Sequence, residues 1–277
     1  MLKIAELTYS TPDSRPEDHK RENLIPFINY QTPAPQRCLD MLLAKYYEQP
    51  YQSEVIMTSP DKPSLPCLKK PLNEATILLL TDGGLVPNQN PDRIPSTSSD
   101  RFGIYSIENT LALNPADYEI SHQGYDNSFV AEDPNRLLPV DSLRELEAKG
   151  VIGKLYDAFI STTGVMTSTE KSIRLGKRIA RYVSALPVDA VLISSACGTS
   201  TRCGSYIGIE IEKKGIPVVQ TTNLTKIAVD TGIVRVVRGN NICYPFGYPL
   251  ITEKRERMYR RHLVVEALKL LTETPAN

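Results

Sequence analysis

The feature that most constrains the fold is an alternation of short apolar runs with amphipathic stretches, which begins at residue 189 and continues to residue 271. Three apolar runs are short and continuous, as expected of strands buried on both faces: 189–194, 216–220 and 233–237. Three stretches have helical periodicity: 203–214, 223–230 and 253–271. Strands that alternate with helices predict an α/β fold with a mainly parallel sheet flanked by helices.

The same pattern extends toward the N-terminus. An apolar run at 75–81 precedes Gly83 and Gly84, which is typical of a buried strand that ends in a turn. The following segment, 86–140, is rich in Pro, Asn, Asp and Ser and predicts a long, loop-rich stretch, which is usually functional. Further helices are predicted over 142–149, with Asp141 as N-cap, and from an N-cap at Ser168 or Thr169 to about residue 186.

The first 70 residues differ from the rest because prolines leave little room for regular structure. One helix is predicted over 36–47, and the stretch 58–71 is predicted to be an extended linker. The sequence therefore predicts an irregular, Pro-rich N-terminal arm (1–70), lying on the main body or on a partner, and an α/β domain (71–277).

Composition excludes several classes of function. The 277 residues are 41% hydrophobic and 23% charged with a formal net charge of +0, so no electrostatic attraction to nucleic acid is expected. No apolar run approaches the roughly 20 residues that span a bilayer, and the N-terminus lacks the pattern of a secretory signal. We predict a cytoplasmic protein with neither a nucleic-acid nor a membrane partner. The five cysteines are a poor disulfide framework, and Cys38, Cys67 and Cys243 are predicted to be small buried residues.

The segment that can carry chemistry is 192–204, Leu-Ile-Ser-Ser-Ala-Cys-Gly-Thr-Ser-Thr-Arg-Cys-Gly. Cys197 falls in the turn after a buried strand, at the sheet edge where ligands bind in such folds. The free N–H groups of the next helix, with Arg202, create a positive potential that favours the nucleophilic thiolate. Thr199 and Ser200 add hydroxyl donors for an anionic ligand or a developing charge.

Two other interpretations of this segment remain open from the residues alone. It can be a structural glycine turn with two buried thiols. A structural zinc site is disfavoured because the two cysteines are six residues apart with no histidine or third cysteine nearby, and we predict no metal. Cys203 can resolve an oxidised Cys197, or its thiol can serve packing only.

The segment resembles the selenoprotein B family, which includes the large component of glycine, sarcosine and betaine reductases and the smaller subunit of D-proline reductase. The family motif is Ser-Thr-Sec-Gly-Thr-Cys-Thr-Arg-Cys-Gly, with selenocysteine at the position of Cys197 and its last cysteine at Cys203. Ser200 replaces the middle cysteine. Further similar blocks follow the family order: 83–93, 122–126 (His-Gln-Gly-Tyr-Asp), 133–141, 150–154, 214–219 and 241–249. The resemblance is expected over roughly 74–250, with little in 1–70.

The resemblance implies a reductase subunit that cleaves a carbon–heteroatom bond, usually C–N, of a small amine or amino-acid-like substrate. Cys197 would be the nucleophile, and a thiol reductant would release the product. The implied partners are another reductase subunit or a second copy of the chain. No cofactor is expected on this chain, although a pyruvoyl group can come from a partner subunit.

The similar blocks supply the remaining candidate residues. His122 is predicted to be a proton donor to the leaving group, with Tyr125 beside it and Asp126 either orienting it or serving as a turn residue. Asn135 and Arg136 can bind a substrate carboxylate or the partner, or can belong to a capped turn. Gly83 and Gly84 lie at the expected ligand edge, although the longer dinucleotide-binding glycine pattern is absent.

Two rival functions remain open. A strand-end cysteine in an α/β fold also suits racemases and lyases of amino acids, which need no thiol reductant. The chain can also be a non-catalytic assembly subunit in which Cys197 has no chemical role.

Overall fold

The computed structural model describes residues 28–54 and 65–273. The chain divides into an N-terminal unit, Met1–Thr58, and an α/β unit, Ser59–Asn277. The N-terminal unit contains helix α1 (Ala34–Tyr46), which begins after Pro33 and two residues before the predicted start. A proline in the first turn of a helix is tolerated because its missing N–H has no intrahelical partner. The predicted arm and linker lie partly outside the described residues, and the boundary at 70 stays a prediction.

The α/β unit is built on a six-stranded sheet and a separate two-stranded one. The strands are β1 (Thr76–Thr81), β2 (Leu85–Pro87), β3 (Phe102–Ser106), β4 (Tyr118–Ile120), β5 (Lys154–Thr162), β6 (Ala190–Ser194), β7 (Val218–Thr222) and β8 (Val236–Arg238). The larger sheet has the order β3-β5-β1-β6-β7-β8, and β2 pairs with β4. All neighbours in the larger sheet are parallel except the edge pair β3 and β5. The predicted fold class is confirmed.

Among residues 65–273, six α-helices accompany these strands: α2 (Ser128–Glu132), α3 (Val140–Ala148), α4 (Thr169–Val183), α5 (Gly198–Glu212), α6 (Thr225–Thr231) and α7 (Glu253–Thr272). The predicted N-cap of α4 is confirmed, because the Ser168 side chain accepts a hydrogen bond from the backbone N–H of Lys171. The predicted N-cap of α3 is wrong: the helix begins after Pro139, and Asp141 lies in its first turn.

Two strands of the larger sheet were not predicted. In β5 the first half is partly exposed and interrupted by Asp157, so the apolar signal is confined to its last residues. In β3 buried and exposed residues alternate, which is the pattern of an edge strand. The elements β3, β4 and α2 give regular structure to parts of 86–140, where a loop-rich stretch was predicted, whereas no element was predicted over β5.

The sheet is buried on both faces. Ile77 and Leu79 of β1 join a cluster with residues of α3 and α7, such as Leu143 and Leu268. Leu78 of β1 faces the other way, into a cluster formed largely with α4 and α5. Each such side chain contributes about 1.5–3 kcal/mol when fully buried. With both faces covered, the carboxyl ends of the strands remain the natural place for a functional site. Within the described ranges, no helix is long and apolar enough to cross a membrane.

Candidate active site

Four segments meet beyond the carboxyl ends of β1, β5 and β6: 82–84, 121–126, 163–167 and 195–200. Backbone hydrogen bonds join the first segment to the end of β5, with Gly84 donating to Thr162, and to the third segment, with Gly164 donating to Asp82. The Thr163 hydroxyl donates to the Ser121 carbonyl, at 2.5 Å, and attaches the second segment. The site is therefore assembled on the rigid edge of the sheet.

Cys197 is the N-cap residue of α5 and is 9% exposed. Its thiol donates to Ser200 Oγ at 3.4 Å, and its sulfur lies 3.6 Å from Thr199 Oγ1. The N-terminus of a 15-residue helix favours negative charge at this position. The Gly124 backbone lies against the sulfur, because a Cβ built there would be 3.0 Å from Sγ. As predicted, Cys197 lies between a buried strand and a helix.

His122 is connected to this thiol through Ser200. Its Nε2 lies 2.7 Å from Ser200 Oγ, and its Nδ1 accepts the Gly124 amide hydrogen at 3.0 Å. Burial lowers the pKa of His122 to about 4, so the ring is neutral at pH 7. In a neutral ring whose Nδ1 accepts, the hydrogen resides on Nε2 and is donated to Ser200. Ser200 can then donate its own hydrogen to the Asp82 carbonyl, 3.5 Å away, or to an ionised Cys197.

Tyr125 covers His122 and is fixed to the strand-end turn. The two rings are 4.7 Å apart between centroids, and the Tyr125 hydroxyl donates to the Gly83 carbonyl at 2.9 Å. Burial raises the pKa of Tyr125 well above its ordinary value, so its hydroxyl stays protonated. Gly84 has φ of +74°, and a Cβ there would lie 2.3 Å from the Ser121 carbonyl oxygen, so this position requires glycine.

Asp82, which directly precedes Gly83 and Gly84 at the predicted ligand edge, supplies a further side chain to the site. Its buried carboxylate accepts hydrogen bonds from the Ser195 hydroxyl and from the Ala196 amide, the latter at 3.3 Å. Gln220 donates to Ser195 Oγ at 2.8 Å and extends the network to β7. Burial raises the pKa of Asp82 well above its ordinary value. A signal for this residue is present in the sequence, because Asp82 is acidic and directly follows the buried strand β1. In the sheet, β1 pairs with β6, the strand that precedes Cys197.

Thr199 and Arg202 hold the 163–167 segment. Thr199 Oγ1 accepts from the Met166 amide at 3.0 Å, and Arg202 Nη2 donates to the Thr167 carbonyl at 2.8 Å. Arg202 Nε is buried without a hydrogen-bond partner in the described part of the chain. These contacts give Thr199 and Arg202 a structural role. The anion-binding role predicted for them stays a prediction.

Cys203 does not lie beside Cys197. It is fully buried between α5 and α4, and burial raises its pKa to about 12. Six residues of helix correspond to about 9 Å of axial rise, whereas a disulfide needs Cα atoms within about 7 Å. Of the other thiols predicted to be buried, Cys38 and Cys67 are exposed and Cys243 is half-buried, so that prediction was wrong for the first two.

Asp126, Asn135 and Arg136 are engaged elsewhere. Asp126 is exposed and accepts from the backbone and hydroxyl of Ser128, so the Gly124 amide, not Asp126, orients His122. The Asn135 side chain pairs with the backbone of residue 113, and Arg136 forms a buried ion pair with Glu256. Both line a separate cleft of about 700 Å³ bordered by α3 and α7.

The fold and the site define an α/β protein with a cysteine at a helix N-terminus, on the carboxyl edge of a parallel sheet. The sequence model of the glycine/sarcosine/betaine reductase selenoprotein B family matches residues 8–196, and the chain belongs to this family. The match begins at residue 8, so the expectation that 1–70 carry little of the resemblance was wrong. It ends one residue before Cys197.

Curated relatives extend the similarity past Cys197. The chain is 43% identical over 238 residues to the glycine reductase complex component B subunit gamma of Carboxydothermus hydrogenoformans, covering 86% of this chain and 54% of that protein. It is 38% identical to the sarcosine reductase complex component B subunit beta of Peptoclostridium acidaminophilum, over 85% of this chain and 54% of the relative. It is 29% identical to the D-proline reductase subunit gamma of Acetoanaerobium sticklandii, over 81% of this chain and 90% of the relative.

The chain thus spans about half the length of the component B relatives, at 54% for the two glycine and sarcosine reductase subunits. No solved structure matches the chain significantly.

Proposed function

We propose that this chain is a subunit of a reductase that cleaves the C–N bond of a small amine or amino-acid-like substrate, with Cys197 as nucleophile. The observation that carries the proposal is the hydrogen-bonded series Cys197, Ser200 and His122 at the N-terminus of α5. The relatives named as components of glycine and sarcosine reductase complexes support the reaction class and a partner subunit.

The Cys197 thiol first releases its proton to solvent, and the thiolate then attacks the carbon that bears nitrogen. The C–S bond forms as the C–N bond breaks, and the bonding electron pair leaves with nitrogen. A protonated amine leaves as a neutral amine, so this step needs no strong acid. Before attack, Ser200 donates its hydrogen to the thiolate while it accepts the Nε2 hydrogen of His122, which spreads the negative charge along the series.

This assignment changes the role proposed for His122. A proton donor to the leaving group must ionise near the working pH, whereas burial lowers the His122 pKa to about 4. We therefore propose that His122 acts as a neutral hydrogen-bond donor that positions Ser200. The thiol reductant, the pyruvoyl group on a partner and the cytoplasmic location stay predictions.

Replacement of the nucleophile tests the proposal. Cys197→Ser and Cys197→Ala, assayed with the partner components, are expected to lose on the order of 10³-fold or more of the turnover. Cys67→Ser is the matched control because Cys67 is exposed. Retained turnover in both Cys197 variants would refute the proposal, and turnover that needs no thiol reductant would favour a racemase or lyase.

A further inference from the structure

We propose that Met166 is a specificity-determining residue beside Cys197, and that its side chain limits the substituents that the attacked carbon can carry. The proposal rests on the proposed function, because it concerns the carbon that the Cys197 sulfur would attack. Its basis is the turn 164–167, in which a strained residue with an exposed side chain lies next to the nucleophile. Met166 lies outside the similar blocks of the sequence.

The first two residues of the turn pack against the groups around the sulfur. A Cβ built on Gly164 would lie 2.6 Å from the Cα of Ser200. A Cβ built on Gly124 would lie 2.7 Å from Val165 Cγ2 and 3.0 Å from Cys197 Sγ. Val165 and the sulfur therefore flank the same glycine, and the turn borders the nucleophile.

The next two residues of the turn are fixed by their backbones. The Met166 amide donates to Thr199 Oγ1 at 3.0 Å, and this oxygen is 3.6 Å from the Cys197 sulfur. The Thr167 carbonyl accepts a hydrogen bond from Arg202 at 2.8 Å. A single side chain, that of Thr199, thus connects the Met166 backbone with the nucleophile, whereas the Met166 side chain is 70% exposed.

The backbone at Met166 is strained. Its φ is +55°, in the left-handed region that favours glycine. The Thr167 amide donates to the Gly164 carbonyl at 3.2 Å, so Met166 is the third residue of a β-turn, where a positive φ ordinarily selects glycine or asparagine. Residues held in such conformations cluster at functional sites. Because Val165 and Thr167 are buried, Met166 is the residue of this turn that presents a side chain to the outside.

The direction of attack decides which part of a substrate Met166 can meet. In a displacement at carbon, the leaving group departs opposite to the nucleophile, and the other substituents surround the line that joins them. A side chain beside the sulfur therefore meets these substituents, whereas the amine points away from it. The methionine side chain is unbranched and flexible, so it can fold over a carbon that approaches Cys197. Hydrogen substituents should fit there, and larger ones should collide with Met166.

Alkylation of Cys197 in the full-length chain tests this inference without substrate. Iodoacetamide and its α-methyl homologue react by the same displacement, in which the S–C bond forms and iodide leaves with the bonding electron pair. The two reagents differ by one methyl group on the attacked carbon. The measurement is the rate constant of iodoacetamide divided by that of its homologue, followed by peptide mapping at Cys197 and at the exposed Cys67 of the same chain, which is the internal reference.

In the wild type, this ratio should be about 10-fold higher at Cys197 than at Cys67, which is near the lower end of the discrimination that one methylene group permits in an apolar pocket. Met166→Gly should bring the ratio at Cys197 close to that at Cys67, and Met166→Leu, which keeps the bulk, should retain the wild-type ratio. Met258→Ala is the matched control, because Met258 is an exposed methionine on α7. Glycine also relieves the backbone strain, so the urea midpoint of Met166→Gly should not fall below that of the wild type.

An unchanged ratio in Met166→Gly would overturn the inference, and so would an equal change of the ratio in Met258→Ala. If neither reagent modifies Cys197 while Cys67 reacts, Cys197 is not an accessible nucleophile, and the proposed function fails together with this inference. If Met166→Gly lowers the ratio but the Cys197 variants retain turnover, the proposed function fails, although Met166 still controls access to the sulfur.

Discussion

The residue that connects the site is Ser200, which touches both the sulfur of Cys197 and the ring of His122. A hydroxyl both donates and accepts, so one side chain can accept from a neutral imidazole and donate to a thiolate. This arrangement explains why a buried, uncharged histidine is useful next to a cysteine. It contrasts with sites in which a charged imidazolium faces the sulfur directly.

The buried state of His122 predicts a specific pH dependence of stability. Its pKa is about 4 in the folded protein and 6.5 ordinarily, so acid protonates the unfolded chain first and stability falls as pH drops through this window. Between pH 7 and 5 the wild type should lose about 2 kcal/mol more than His122→Gln. Urea unfolding at several pH values measures this difference.

His262 provides the matched control because it is exposed on α7. His262→Gln makes the same substitution at an exposed ring, 3.3 Å from Glu266, and therefore should not reproduce the effect of His122→Gln, which depends on burial. Equal slopes for wild type and His122→Gln would mean that His122 is not buried in a neutral form, and the role assigned to it would fail.

At the scale of elements, the turn between β6 and α5 depends on the close approach of α5, at Gly204, to the side chain of Asp82. A Cβ at Gly204 would lie 2.2 Å from Asp82 Oδ2 and 2.6 Å from Ser195 Oγ, both of which are buried. The first turns of α5, which follow Cys197, therefore pack directly against the hydrogen-bonded side chains of Asp82 and Ser195. Glycine at this position serves packing of the site and not helix formation.

Substitution of this glycine tests the seating of α5. Gly204→Ala should lower the free energy of unfolding by about 1–3 kcal/mol, the usual cost of overpacking, although alanine is the better helix former. In Gly198→Ala, of the same helix, the new methyl would meet its nearest atom at 3.3 Å, at the tip of Ile227. Urea unfolding measures the free energy of unfolding of both variants. Equal values for Gly204→Ala and Gly198→Ala would show that Asp82 does not constrain α5.

Sequence patterns predicted the elements whose signal is local. The strands β1, β6 and β7 are continuous apolar runs, and the Ser168 cap of α4 is encoded within a few residues. The position of Cys197 followed from the junction of two such elements. By contrast, β5 acquires its register only from its neighbours, and the polar residues Thr199–Thr201 concealed the first turn of α5.

At the scale of the whole molecule, the site combines segments far apart in the sequence. Asp82, His122, Gly164 and Ser200 converge because parallel strands β1, β5 and β6 end at one edge. No local pattern reports such convergence, which is why the hydrogen bonds of Asp82 were not predicted and why the sequence could not show that Asn135 and Arg136 line a separate cleft. The chain also spans 54% of its component B relatives.

The most direct measurement of the central claim is the mass of the Cys197 peptide after reaction with substrate in the absence of external thiol. The assembled complex would be supplied in turn with glycine, sarcosine, betaine and D-proline, the compounds in the names of this family's reductases, and then digested. We predict that one of these substrates forms a covalent adduct on Cys197, and that the mass of the adduct shows that the amine has been lost. For D-proline, the ring nitrogen stays in the attached chain. Product formation with the adduct on another residue, or with Cys197 unmodified throughout, would contradict the account.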